Sequence, residues 1–278
     1  MRYGPPGHLR QVILHHIRRG DGAPLVLVHG LGGSLRSWDL VVDGLAAHRE
    51  VVALDLPGFG ESPALPETTV DTLADAVAMF LSAQGWQRAD LVGTSLGGRL
   101  VLEMVRRGLG RHVVALDPGG CWNAPERAFV NGLLRASIAA VRRLRPVLPL
   151  LTGNPVTRTA LLSQFSVRPW AVPAEVVLRE LRGLADAPAV DPALMSLMAE
   201  EPQQGAAAGT SNGRVVVGWG RWDRLTLPSQ ARRPLPDVRL AGRDRAGGAG
   251  RDGVTAAQPR PRRASSGPIS GSRPRKAR

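Results

Sequence analysis

Through the first half of the chain, short continuous apolar runs alternate with stretches whose apolar residues recur at helical spacing. Pro24 to Val28, Val51 to Leu54, Ala89 to Val92 and His112 to Asp117 are the apolar runs. Such runs suit strands buried on both faces of a parallel sheet. Between them, Ser37 to about Ala47, Thr69 to Ala83 and Leu100 to Val105 have the helical period, with Thr69 or Asp71 as N-cap. Gln11 to Ile17 alternates loosely and predicts an early strand. Strand and helix in steady alternation predict an α/β protein, a mostly parallel sheet with helices on both faces. In such sheets chemistry collects at the carboxyl ends of strands, where His29-Gly30, Asp55, Ser95 and Asp117 fall.

The pattern changes at Cys121. Up to Pro202 the chain is rich in Arg, Leu and Pro, with helical runs over Phe129 to Leu144, Pro173 to Leu184 and Pro192 to Ala199 and no strand pattern. A helical cap inserted after one strand accounts for this. Gln203 to Asn212 is a Gly/Ala/Ser linker, Val215 to Gly220 resumes the sheet, and Pro236 to Leu240 suits the start of a last strand. Beyond Leu240 aliphatic residues nearly vanish, and a segment so poor in apolar surface is expected to be disordered. The expected organisation is a core in two parts, 1–120 and 203–240, a cap over 121–202, and a basic tail over 241–278.

One stretch carries chemistry. Ala89-Asp90-Leu91-Val92 runs straight into Gly93-Thr94-Ser95-Leu96-Gly97-Gly98, the G-x-S-x-G spacing between a strand and a helix. Glycines at 93 and 97 remove the Cβ atoms that would collide in so tight a turn and leave the Ser95 hydroxyl exposed above the sheet. The helix that follows points its N–H groups at that hydroxyl, where an oxyanion would be stabilised. By itself the motif also fits a glycine-rich turn with an idle serine; its company decides.

Charge and cysteine content narrow the classes. Of a formal net charge of +13 over 278 residues, residues 232–278 hold thirteen Lys and Arg against three Asp, so the body is close to neutral. No aromatic interleaves those arginines, so nucleic-acid binding is not favoured. The single Cys121 permits no internal disulfide and suits a small buried residue. No apolar run is long enough to span a bilayer, and the first residues lack the apolar core of a signal peptide. A cytoplasmic location, no membrane partner and no cofactor are expected; oligomeric state is not legible.

Four ordered motifs resemble the α/β-hydrolase fold superfamily: His29-Gly30-Leu31-Gly32-Gly33 after its strand, the Asp55-to-Ser62 turn, the Gly93-to-Gly97 elbow, and Gly218-Trp219-Gly220-Arg221-Trp222-Asp223 with Pro228. The likeness spans about Leu25 to Val238. It implies Ser95 as nucleophile, the backbone N–H groups of Leu31 and Leu96 as oxyanion donors, Asp223 as the acid that orients a histidine, and a small-molecule acyl substrate such as an ester processed through an acyl-enzyme. Asp117 competes for the acid role, since some members place the acid after that earlier strand; the residues around Asp223 fit the usual motif better. A haloperoxidase-like or carbon–carbon bond hydrolase lineage, and a non-catalytic ligand-binding member, are the alternatives.

The chain departs from this pattern where the base belongs. Its histidines are His8, His15, His16, His29, His48 and His112, and all precede Asp223. Impaired catalysis is the expectation. Two origins fit the Arg/Gly/Ala/Pro/Ser mixture after Leu240. An out-of-frame reading of a GC-rich gene fits better than a genuine variant that lost its last strand, histidine loop and closing helix.

Overall fold

The structure, a computed structural model, describes residues 13–166, 168–206, 210, 213–220, 223, 225–226 and 230. Among the described residues six strands form one sheet: β1 His16–Arg19, β2 Pro24–Val28, β3 Glu50–Leu54, β4 Asp90–Thr94, β5 Val113–Leu116 and β6 Val215–Gly218, in the order β1-β3-β2-β4-β5-β6. Only β1 runs antiparallel, against β3; the other pairings are parallel. The early strand lies later than the alternation predicts, at His16–Arg19. Residue 15 is drawn towards the Asp55 turn instead, where His15 O accepts from Asp55 N at 2.8 Å.

Alternate residues of the central strands feed two cores, as a sheet covered on both faces requires. Leu25, Leu27, Val51 and Ala53 pack with Leu35, Trp38 and Val42 on one face. Val26, Val28, Val52 and Leu54 join the larger core on the other. Around the sheet lie α1 Val42–Ala46, α2 Val70–Ala83 and α3 Leu96–Arg106. Thr69 caps α2: its hydroxyl accepts from Thr72 N, and Thr72 Oγ1 accepts from Thr69 N at 2.9 Å. The stretch beginning at Ser37 is broken into a 3₁₀ turn, Leu35–Trp38, and the short α1, because Ser34 caps the chain three residues early.

Between β5 and β6 the described residues form helices and turns and no strand. These are α4 Ala124–Leu144, α5 Leu148–Gly153, α6 Pro155–Leu162, α7 Ala174–Asp186 and α8 Val190–Ala199. The short α5 and α6, set apart by Pro149 and Pro155, carry too few turns to show a clear period in the sequence. Asn123 starts α4 earlier than its apolar spacing suggests, accepting from Glu126 N while Glu126 Oε2 accepts from Asn123 N, both at 2.9 Å. The strand expected at 236–240, the last strand and helix thought missing, and the tail fall outside the described residues.

The strand order places the topological switch between β2 and β4, whose chains leave in opposite directions along the sheet. A crevice opens there at the carboxyl ends. Its geometry depends on Gly97, where a Cβ would sit 2.2 Å from Val28 O and 2.5 Å from His29 O. Gly97→Ala is expected to cost roughly 3 kcal/mol or more in urea unfolding, since backbone must move. Gly132 lies in α4 with nothing within 4 Å of an added Cβ, so Gly132→Ala should stabilise by about 0.5–1 kcal/mol in the same measurement.

Candidate active site

Ser95 stands between β4 and α3 at φ 53° and ψ −115°, a left-handed conformation that a non-glycine residue adopts only when its surroundings hold it there. The restraints are identifiable. Ser95 N donates to Leu116 O at 2.9 Å, and Ser95 O accepts from Gly119 N at 3.1 Å and Arg99 N at 3.0 Å. A Cβ on Gly93 would lie 2.1 Å from Gly97 O, so β4 and α3 meet with no room for a side chain. Gly30 also approaches closely, from the end of β2: its Cβ would be 3.1 Å from Ser95 Cβ and 3.8 Å from Ser95 Oγ. The His-Gly loop therefore lies against the serine.

Leu31 and Leu96 both lie at this corner. Leu96 opens α3, where a backbone N–H has no intrahelical acceptor. Leu31 lines the cavity above Ser95, and its N–H makes no hydrogen bond to another described residue. The Leu96 side chain is wholly buried in the core.

The cavity holds about 590 Å³, within the range of small-ligand sites. Ser95, Asp117 and Asp223 share its wall, each delivered by the loop after a neighbouring strand. Helices α4, α6 and α7 close it with an apolar lining that includes Val130, Leu134, Leu162 and Leu181. Asp117, also at positive φ (47°), accepts from Gly220 N at 3.1 Å. Burial pushes its carboxyl above the usual carboxylate range; the Gly220 N–H opposes this and the charge of Asp223 adds to it. Asp223 is held by its own turn. Oδ1 accepts from Leu225 N at 2.8 Å and Thr226 N at 2.9 Å, and Oδ2 from Thr226 Oγ1 at 2.5 Å.

No described histidine lines this cavity, and none hydrogen-bonds Ser95 Oγ. His29 is fully buried with both ring nitrogens engaged: Leu56 N donates to Nε2 at 3.0 Å, so the proton sits on Nδ1, which donates to Gly30 O at 2.7 Å. His15 Nδ1 pairs with Asp55 Oδ2 at 2.8 Å, His16 Nδ1 donates to Leu14 O, and His112 Nδ1 accepts from Arg214 N. His48 is exposed, and His8 lies outside the described residues. Asp55 shapes its loop: Oδ1 accepts from Leu35 N at 2.6 Å and Oδ2 from Glu61 N at 2.9 Å.

Two contributions are not apparent from the sequence. Thr226, three residues after Asp223, anchors that carboxylate, and the short Asp-x-x-Thr spacing is the available signal. Glu180 brings a carboxylate from α7 to the cavity wall, where it accepts from Ser37 Oγ at 2.9 Å; nothing in a surface-like helix marks it. Burial raises the Glu180 carboxyl, against the Ser37 hydrogen bond and Arg179. At Gly183 a Cβ would be 2.2 Å from Gly32 O, so α7 rests directly on the His-Gly loop.

A family model for the alpha/beta hydrolase fold matches residues 23–121, the part that carries β2 through β5 and the Ser95 corner. With this sheet and this strand–helix corner, the chain belongs to the α/β-hydrolase fold superfamily. The dihydrolipoyllysine-residue acetyltransferase component of the acetoin cleaving system of Cupriavidus necator is 31% identical over 230 residues, covering 80% of this chain and 58% of the relative. The (lyso)-N-acylphosphatidylethanolamine lipase of Homo sapiens is 34% identical over 149 residues, covering 51% of this chain and 43% of that protein. This chain thus spans about half the length of the curated relatives it matches. A thermophilic esterase from Thermogutta terrifontis shares the fold, with a TM-score of 0.60, 24% identity and 78% of each chain covered. Among the described residues no helix is long and apolar enough to cross a membrane.

Burial holds the His29 imidazole down to about 4, from an ordinary 6.5, against the opposing Gly30 hydrogen bond and Asp55 charge. The unfolded chain binds that proton more readily, so His29 stabilises the fold fully above pH 6.5, and this contribution is lost as pH falls towards about 4. Urea unfolding should show about 3 kcal/mol lost over that window from this group, and His29→Gln should flatten the same limb.

Proposed function

We propose that the chain descends from serine hydrolases that cleave esters or related acyl bonds through an acyl-enzyme, and that it turns over poorly as it stands. The observation that carries this is Ser95 itself, held at φ 53° at the foot of an apolar cavity with the Gly30 loop against it. In this reading Ser95 Oγ attacks the acyl carbon, and the Leu31 and Leu96 N–H groups receive the developing oxyanion. Asp223 is the acid, already oriented by its own turn; Asp117 is its competitor from the adjacent strand. Two of the relatives, an acetyltransferase component and a lipase, agree with acyl chemistry.

Attack requires a group to take the serine proton, and no histidine follows Asp223. His29, in the loop that lies against the serine, has both nitrogens committed and stays neutral. A serine without its base keeps oxyanion binding but loses about ten thousand- to a millionfold in turnover. A second reading follows from the same facts: an intact cavity without a base suits a protein that binds an ester-like ligand and releases it unchanged.

Fluorophosphonate labelling with and without added imidazole tests both. Slow labelling of the wild type, accelerated by millimolar imidazole and abolished in Ser95→Ala, is the expected result. Rapid labelling without imidazole would sink the impairment and require some other side chain to serve as the base. No Ser95-dependent labelling under either condition would remove the hydrolase lineage and leave ligand binding.

A further inference from the structure

The cap carries a face that the acyl chemistry does not use. From Arg127 to Ala174 the sequence holds seven arginines and no Asp or Glu. On the consecutive elements α5, α6 and the 3₁₀ turn Pro169–Ala171, large apolar side chains stand in solvent: Leu150 is 75% exposed, Val156 77% and Trp170 58%. These elements form one body. Arg158 is buried, donating to Thr152 O at 2.8 Å and Trp170 O at 3.3 Å, so its guanidinium is turned inward. Arg143, near the end of α4, and Arg168, next to the 3₁₀ turn in sequence, are exposed and pair with no carboxylate among the described residues. Phe165, between α6 and that turn, lines the cavity and is itself 39% exposed, so face and cavity share a wall.

Exposed aliphatics grouped with a tryptophan and unpaired arginines combine two attractions. Apolar side chains gain by entering an acyl-chain boundary, tryptophan favours the headgroup level, and each nearby arginine gains from anionic lipid. We propose that this face of the cap docks on the surface of a bilayer containing anionic lipids. Leu150, Val156 and Trp170 enter the interface, and Arg143 and Arg168 meet the headgroups. Such a contact lies on the membrane without spanning it, and revises the expectation of no membrane partner drawn from the sequence. A protein surface would need carboxylates and a complementary apolar groove to cover the same face; a bilayer supplies both charge and apolar depth without shape matching. The docking stands whether or not Ser95 acylates, because its test needs no turnover.

Residues 232–278 carry +10, so attraction to anionic vesicles alone does not test the patch. Depth does. The full chain is mixed with phosphatidylcholine–phosphatidylglycerol vesicles whose acyl chains are brominated, and tryptophan quenching is read. Quenching is expected in the wild type, lost in Trp170→Phe, and reduced at least about fivefold in Leu150→Asp and in Val156→Asp. Circular dichroism checks that each variant is folded, and two separate aspartate variants guard against one failing. Sedimentation with vesicles but no quenching would mean tethering by the basic residues alone and would overturn the proposal. Equal quenching with phosphatidylcholine alone would overturn the anionic preference. Self-association abolished by Leu150→Asp, with no quenching, would assign the face to a second copy of the chain instead.

Discussion

Backbone segments crowd together where β4 turns into α3. Backbone from β2, β4 and α3 converges there, and a single methyl at Gly93 or Gly97 would sit about 2 Å from a carbonyl oxygen. That crowding forces Ser95 into a left-handed conformation and lifts its side chain out of the sheet, into the cavity. The strain is offset by backbone hydrogen bonds from Ser95 to β5 and to the Gly119 loop, so the corner and the sheet register hold each other. A looser corner would spread the serine over ordinary rotamers and backbone angles and dissolve the cavity floor.

The rest of the site is arranged by sheet order. The Gly30 loop comes from one neighbour of β4 and Asp117 from the other; Asp223 follows from the next strand out. Acceptors and donors therefore stand in a row along the carboxyl edge, with the serine second. On the far side of β2, Asp55 and His29 tie the loops after β2 and β3 through backbone N–H groups. A neutral His29 is part of that tie: protonation at Nε2 would leave the Leu56 N–H facing another donor in the core. The helical insertion then sits on the His-Gly loop through Gly32 and Gly183, bringing Glu180 to the wall.

Cavity, serine corner and both aspartates come together, while all six histidines of the sequence precede Asp223 and none of the described ones lines the cavity. The cap meanwhile has a surface character of its own, with apolar side chains and arginines facing outward where a purely protective lid would be expected to be polar. Its packing against the core uses other residues, such as Val177, Leu181 and Leu197.

Local signals settle a good deal in advance. Unbroken aliphatic runs at 24–28, 51–54 and 113–116 identify buried strands because such runs have no other stable place, and the glycines around Ser95 mark a turn that admits no side chain. The six histidines, all upstream of Asp223, are a matter of sequence alone. Pairing is different. That β2 lies between β3 and β4, that Asp117 and Asp223 share a wall, and that His29 spends both nitrogens on backbone depend on contacts between residues far apart in the chain. The same holds for Glu180, a carboxylate on an amphipathic helix that became part of a cavity when α7 settled on the Gly32 loop. Hydrophobic period fixes which face of an element is buried; only the folded packing decides what that face meets.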